Sequence, residues 1–137
     1  MVYRKTWRAM LTLVVVALFA GCATVQSTNP EDVVKARASE RWSALVKGDV
    51  TVAYAFMSPG YRAVVAERDF ASRRGNAVRL ASATVAGVNC SEAEKCVVTV
   101  RLESKPLMGG RFGDLIATHI EEIWLLEEGR WWLFEKV

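Results

Sequence analysis

Few residues in this chain are of a type and spacing that could do chemistry. A carboxylate base opposed by a phenol can move a proton beside a carbonyl and hold the resulting enolate, and Glu121 or Glu122 with Tyr54 or Tyr61 would supply both groups. Adjacent residues of a strand face opposite sides, so one of the two glutamates is able to turn inward. Against this stands the ordinary use of such residues: glutamates near a strand end are solvated or salt-bridged, and tyrosines on an apolar helix fill core. That ordinary use outweighs the catalytic one. The only histidine, His119, falls in a strand with no nucleophile elbow and no metal-ligand partner. The stretch Gly109-Gly110-Arg111-Phe112-Gly113 lacks the spacing and the following Lys-Ser or Lys-Thr of a phosphate loop, and reads as a bend. No metal set or cofactor is expected. A milder reading has Trp42, Tyr54, Met57, Tyr61 and Trp124 line the mouth of a pocket for an apolar or amphipathic small molecule. Dense packing without a cavity is the plainer alternative, because a small domain needs its large side chains for stability.

The cysteines carry the clearest chemistry. Residues 1–21 have basic Arg4, Lys5 and Arg8, an apolar run over 9–20, and small Ala20-Gly21, the three parts of an export signal. As a helix the run covers about 18 Å, short of the roughly 30 Å hydrocarbon core, which disfavours a permanent span. Directly after it, Leu18-Phe19-Ala20-Gly21-Cys22 resembles the lipobox of bacterial lipoproteins. The resemblance implies diacylglyceryl and palmitate-type acylation at Cys22, cleavage before it, and a membrane anchor. Ala23, where an Asp would favour inner-membrane retention, implies an outer-membrane position facing the periplasm of a Gram-negative cell. Removing Cys22 from an odd count leaves Cys90 and Cys96 as a pair. They flank a polar stretch between two strand-like runs, and an oxidising compartment favours a disulfide stapling the hairpin. Two sulfurs and a distant histidine do not complete a tetrahedral zinc set.

The elements that position these residues follow from caps and periodicity. A tether over 22–29 leads to Asn29-Pro30-Glu31-Asp32, an N-cap with proline at the first helical position and acidic residues in the first turn. Val34, Ala38, Trp42 and Leu45 form one stripe up to Gly48. Asp49 caps a second helix over 50–57, which Ser58-Pro59-Gly60 breaks. A third helical segment over 66–74 turns Phe70 inward. Strands are expected over 77–90, 96–104, 114–126 and 131–137, with Glu127-Glu128-Gly129-Arg130 as the last hairpin turn. Trp131 and Trp132 face opposite sides, which offers a sheet face for a partner. Helices first and an antiparallel sheet after is an α+β arrangement, with residues 30–137 as one domain.

Arg41-Trp42 through Gly48-Asp49, Ala53-Tyr54 and Ser58-Pro59-Gly60-Tyr61-Arg62 resemble the opening helix pair of NTF2-like (cystatin-like) domains, and Glu122-Ile123-Trp124 with Gly129-Arg130-Trp131-Trp132 resembles their closing hairpin. This resemblance implies a cone of N-terminal helices packed on a curved, mainly antiparallel sheet, and pairing of two copies through the sheet. The formal net charge of +3 reduces to balance once Arg4, Lys5 and Arg8 are set aside, which excludes a nucleic-acid partner. The favoured function is a non-catalytic binding or envelope-assembly module, with a homodimer, an envelope protein or an apolar small ligand as its partner. A small-molecule isomerase or dehydratase using a Glu in the cone is the alternative.

Overall fold

The computed structural model describes residues 29–73, 78–106 and 115–137. The expected export signal, the acylation site at Cys22, the tether residues 22–28 and the glycine cluster at 109–113 lie outside these residues.

Helix α1 (Pro30–Lys47) begins where the caps require: the Asn29 side chain accepts from the Glu31 amide at 3.1 Å, and Pro30 occupies the first turn. Gly48, at φ 80°, ends it in the left-handed conformation and returns its N–H to the carbonyls of Ala44 and Leu45. The stripe Val34, Ala38 and Trp42 is buried, with Leu45 partly so. Helix α2 (Val50–Tyr54) is capped by Asp49, whose side chain accepts from the Val52 amide.

Two expectations about the helices need correction. The second helix stops at Tyr54 rather than running to residue 57, because the chain there leaves to join the sheet. The Leu133 amide donates to the Phe56 carbonyl at 2.9 Å and the Ser58 amide to the Leu133 carbonyl at 3.1 Å. Ser58-Pro59-Gly60 ends nothing but begins a further short helix, α3 (Pro59–Val64), with the Ser58 hydroxyl capping the Tyr61 amide and proline in the first turn. Helix α4 (Glu67–Arg73) turns Phe70 into the core, 1% exposed.

Strands β1 (Val78–Glu92), β2 (Lys95–Pro106), β3 (Ile116–Glu127) and β4 (Arg130–Phe134) form an antiparallel sheet in sequence order. The architecture is therefore mixed helix and antiparallel sheet, and the sheet is open, with β1 and β4 as its margins. Cys96 pairs with Trp124, Val98 with Glu122 and Val100 with Ile120, so these alternate residues share the inner face beneath α1. Register shifts interrupt β1 between Leu80 and Ser82 and between Val85 and Gly87, where extra residues bend the strand. Cys90 and Cys96 are joined by a disulfide across the mouth of the first hairpin. Glu128 (φ 51°) and Gly129 (φ 74°) form the two-residue turn of the last hairpin.

Candidate functional site

The inner face of the sheet carries one acid. Glu122 lies two residues from Trp124 and opposite Val98, so the strand period places it inward, 8% exposed, while Glu121 points to solvent. Its partner comes from α1. Arg41 sits one turn beyond Ala38 and two turns beyond Val34, on the buried stripe, and is fully buried. Arg41 Nη1 donates to Glu122 Oε1 at 2.6 Å, and Trp124 Nε1 donates to Glu122 Oε2 at 3.3 Å. The guanidinium also lies 5.1 Å from the Trp42 ring centroid. Both carboxylate oxygens are thereby engaged by a cation and an indole.

Among the described residues the Glu122 carboxylate receives no hydrogen bond from either tyrosine named from sequence. The Tyr54 hydroxyl donates to the Val65 carbonyl at 2.7 Å, and its ring packs on Phe70 with centroids 5.4 Å apart. Tyr61 is buried and meets the same Phe70 edge-on at 6.4 Å. Trp42, Met57 and Trp124 are buried in the same core, and Tyr54 packs against it partly exposed. All five contribute to one packed interior, and Tyr61 also borders an open depression at the β4 margin. His119 is exposed on β3 opposite Arg101. Among the described residues no three His, Cys, Asp or Glu side chains are placed to hold a metal ion.

A second constellation lies at the β4 margin. Arg37, one turn before Arg41 on α1, donates from Nε to the Trp131 carbonyl at 2.8 Å. Its guanidinium carbon lies 4.9 Å from the Phe56 ring centroid and 5.8 Å from that of Trp132. Arg62 of α3 and Arg130 of β4 approach the same Trp132 ring at 5.3 and 4.5 Å. Burial lowers the pKa of Arg37, the positive charge of Arg130 lowers it further, and Glu40 partly offsets both. Sequence spacing had suggested only that one of Trp131 and Trp132 would face outward. Trp131 is buried, while Trp132 is half-buried beneath arginines from three separate elements.

On the outer face of the sheet Val97, Ile123 and Phe134 stand in one register row. Ile123 is 37% and Phe134 45% exposed. Beside this row an open depression of about 340 Å³ is lined by Tyr61, Leu125 and Phe134, among others. None of the described helices is long and apolar enough to cross a membrane.

The chain matches no protein-family model and no curated protein sequence. Among solved structures it is similar to a SEC-C motif containing protein from Rhodopseudomonas palustris, determined in solution. The two are 17% identical, the match covers 73% of each chain, and the TM-score is 0.56. At that identity the likeness concerns the fold alone. It corrects the family reading made from sequence: the structural match leads to a SEC-C motif containing protein, and neither the bacterial lipoprotein family nor the NTF2-like family is found. The motifs behind that reading, a tryptophan on the first helix, a Gly-Asp helix junction and an aromatic final hairpin, have local causes here. The first supplies core, the second a left-handed cap, and the third a turn with a buried strand. None of them requires a particular family.

Proposed function

We propose that the domain is an exported, non-catalytic binding module of the bacterial envelope. It is held by acylation of Cys22 at the periplasmic face of the outer membrane and pairs with a second copy through the outer face of its sheet. The observation that carries this reading is the contrast between the two sheet faces. The inner face is packed, and its one acid is bound by Arg41 and Trp124, whereas the outer face carries an apolar row in which Ile123 and Phe134 are exposed and Val97 is half-buried. A row of this kind, bordered by α3 at the β4 margin but still partly open to solvent, offers a contact surface, and a two-fold axis lets one patch serve both copies. On this reading the bulged β1 bends the sheet about α1 as a cone whose interior is filled by side chains. An envelope protein in place of the second copy would use the same face.

Fractionation of the envelope tests the address. Wild-type protein is expected in the outer membrane and Cys22→Ser in the soluble periplasmic fraction, since acyl chains supply the stable anchor. Equal recovery of both proteins in the membrane would overturn it.

A further inference from the structure

Three guanidinium groups meet at one indole. Arg37, Arg62 and Arg130 place their central carbons 5.8, 5.3 and 4.5 Å from the centre of the Trp132 ring. Among the described residues no carboxylate lies within ion-pair distance of any of the three. Arg37 uses Nε on the Trp131 carbonyl and leaves Nη2 buried without a hydrogen-bond partner, and Arg62 Nε is likewise buried without one. The indole face attracts each cation, but it offers neither a countercharge nor a lone pair to these N–H groups. Such an assembly repels itself, and the lowering of the Arg37 pKa by Arg130 is one expression of that repulsion.

We propose that Arg37, Arg62 and Arg130 form a binding site for a phosphate-type oxyanion, with the Trp132 ring as its floor. A tetrahedral group carrying close to two negative charges can accept from several planar guanidinium forks at once and offset most of their charge. A carboxylate is planar and singly charged, and would leave more of the cluster uncompensated. The phosphate could come free from solution or from a lipid headgroup, and the chemistry is the same. Both hairpin turns and the start of α1 lie at one end of the sheet, where the Glu31 side chain accepts from the Cys90 amide and the Glu94 carbonyl accepts from the Leu126 amide. Arg130 opens β4 at that end. The site goes beyond the binding-module reading and does not depend on acylation of Cys22.

The test is calorimetric titration of the full chain in detergent with inorganic phosphate, at ionic strength held constant with chloride. Saturable binding and a rise in Tm are expected. Arg62→Gln and Arg130→Gln should each weaken binding by about tenfold or more, a loss in the range of one charge-assisted contact. Arg130 is exposed, so the Tm of Arg130→Gln without phosphate should stay near that of wild type. A parallel titration with dihexanoyl phosphatidic acid distinguishes the source. Tighter binding of the lipid assigns the site to a headgroup, and equal or weaker binding assigns it to free phosphate. Absence of saturation with both ligands, or equal affinities in wild type and both variants, would overturn the proposal.

Discussion

Arg41 and Glu122 show how a single residue pair decides what the interior can do. A buried acid facing a cavity is the usual starting point for proton transfer, yet here Arg41 and the Trp124 indole occupy both of its oxygens. Removing one partner of such a pair strands the other charge and typically costs about 3–5 kcal/mol, whereas replacing both by apolar residues of similar volume is often neutral. Arg41→Met and Glu122→Leu should therefore each lose several kcal/mol in denaturant unfolding, and the double variant should recover most of that loss. Additive losses would show that the two side chains do not act as a pair. Legibility at this scale is partial: the strand period allows one inward glutamate between Glu121 and Glu122, but the apolar members that mark the α1 stripe do not include Arg41. Its position one turn beyond Ala38 held the signal. The Trp132 cluster was less legible still, since Arg37, Arg62 and Arg130 are brought together only by tertiary folding.

Glu103 supplies a pH-dependent contribution at the sheet surface. The Ser82 hydroxyl donates to it at 2.7 Å and Arg101 lies 2.7 Å from its other oxygen, and these contacts hold its carboxyl below the usual range. A carboxyl lowered in the folded state binds its proton more readily when unfolded, so its contribution is present above the unfolded value of about 4.3 and is lost as pH falls through the lower folded value. The stability difference between wild type and Glu103→Gln should be flat above about pH 5 and shrink below about pH 4. Solvent screening keeps it small. A difference that grows on acidification would contradict this assignment.

At the scale of elements, local chemistry accounts for most boundaries. Asn29, Gly48 and Asp49 fix α1 and the start of α2 through side-chain caps and one left-handed residue, all visible in the sequence. The hairpins were equally legible, because alternation and turn residues act over short range. The cross-link between Cys90 and Cys96 closes a small loop, for which loss of chain entropy in the unfolded state gives about 2 kcal/mol. The segment around Phe56 departs from its local helical pattern for a long-range reason. Its helical pattern gives way to pairing with Leu133, far along the chain, and Ser58-Pro59 then serves as a cap rather than a stop. The final turn offers a direct test. It demands positive φ at both central residues, which Gly129 takes freely and Glu128 does not. Glu128→Gly should raise stability, or at least leave it unchanged, with a gain of up to about 1 kcal/mol as the left-handed strain is relieved against the added freedom of the unfolded chain. Thermal unfolding measures it, and a clear fall in Tm would mean that the Glu128 side chain makes a stabilising contact.

For the whole molecule, the fold class was legible because the helices precede the strands and each has its own period, while the family was not. The features used to assign it serve cap, core and turn in any fold of this layout, and the structural likeness shown is instead to a SEC-C motif containing protein. The charge balance beyond the basic residues at the N-terminus locates nothing on its own. The inner face is closed by packing, whereas the outer face keeps Ile123 and Phe134 partly exposed. The most direct test is sedimentation of the full chain in density-matched detergent over a range of concentrations, for wild type and for Ile123→Glu. A concentration-dependent dimer is expected for wild type and a folded monomer for the variant, with a Tm near that of wild type at dilutions where wild type is itself monomeric, because Ile123 is partly exposed and the charge acts chiefly on the contact. A monomeric wild type at every concentration, or a dimer that tolerates the glutamate, would contradict it.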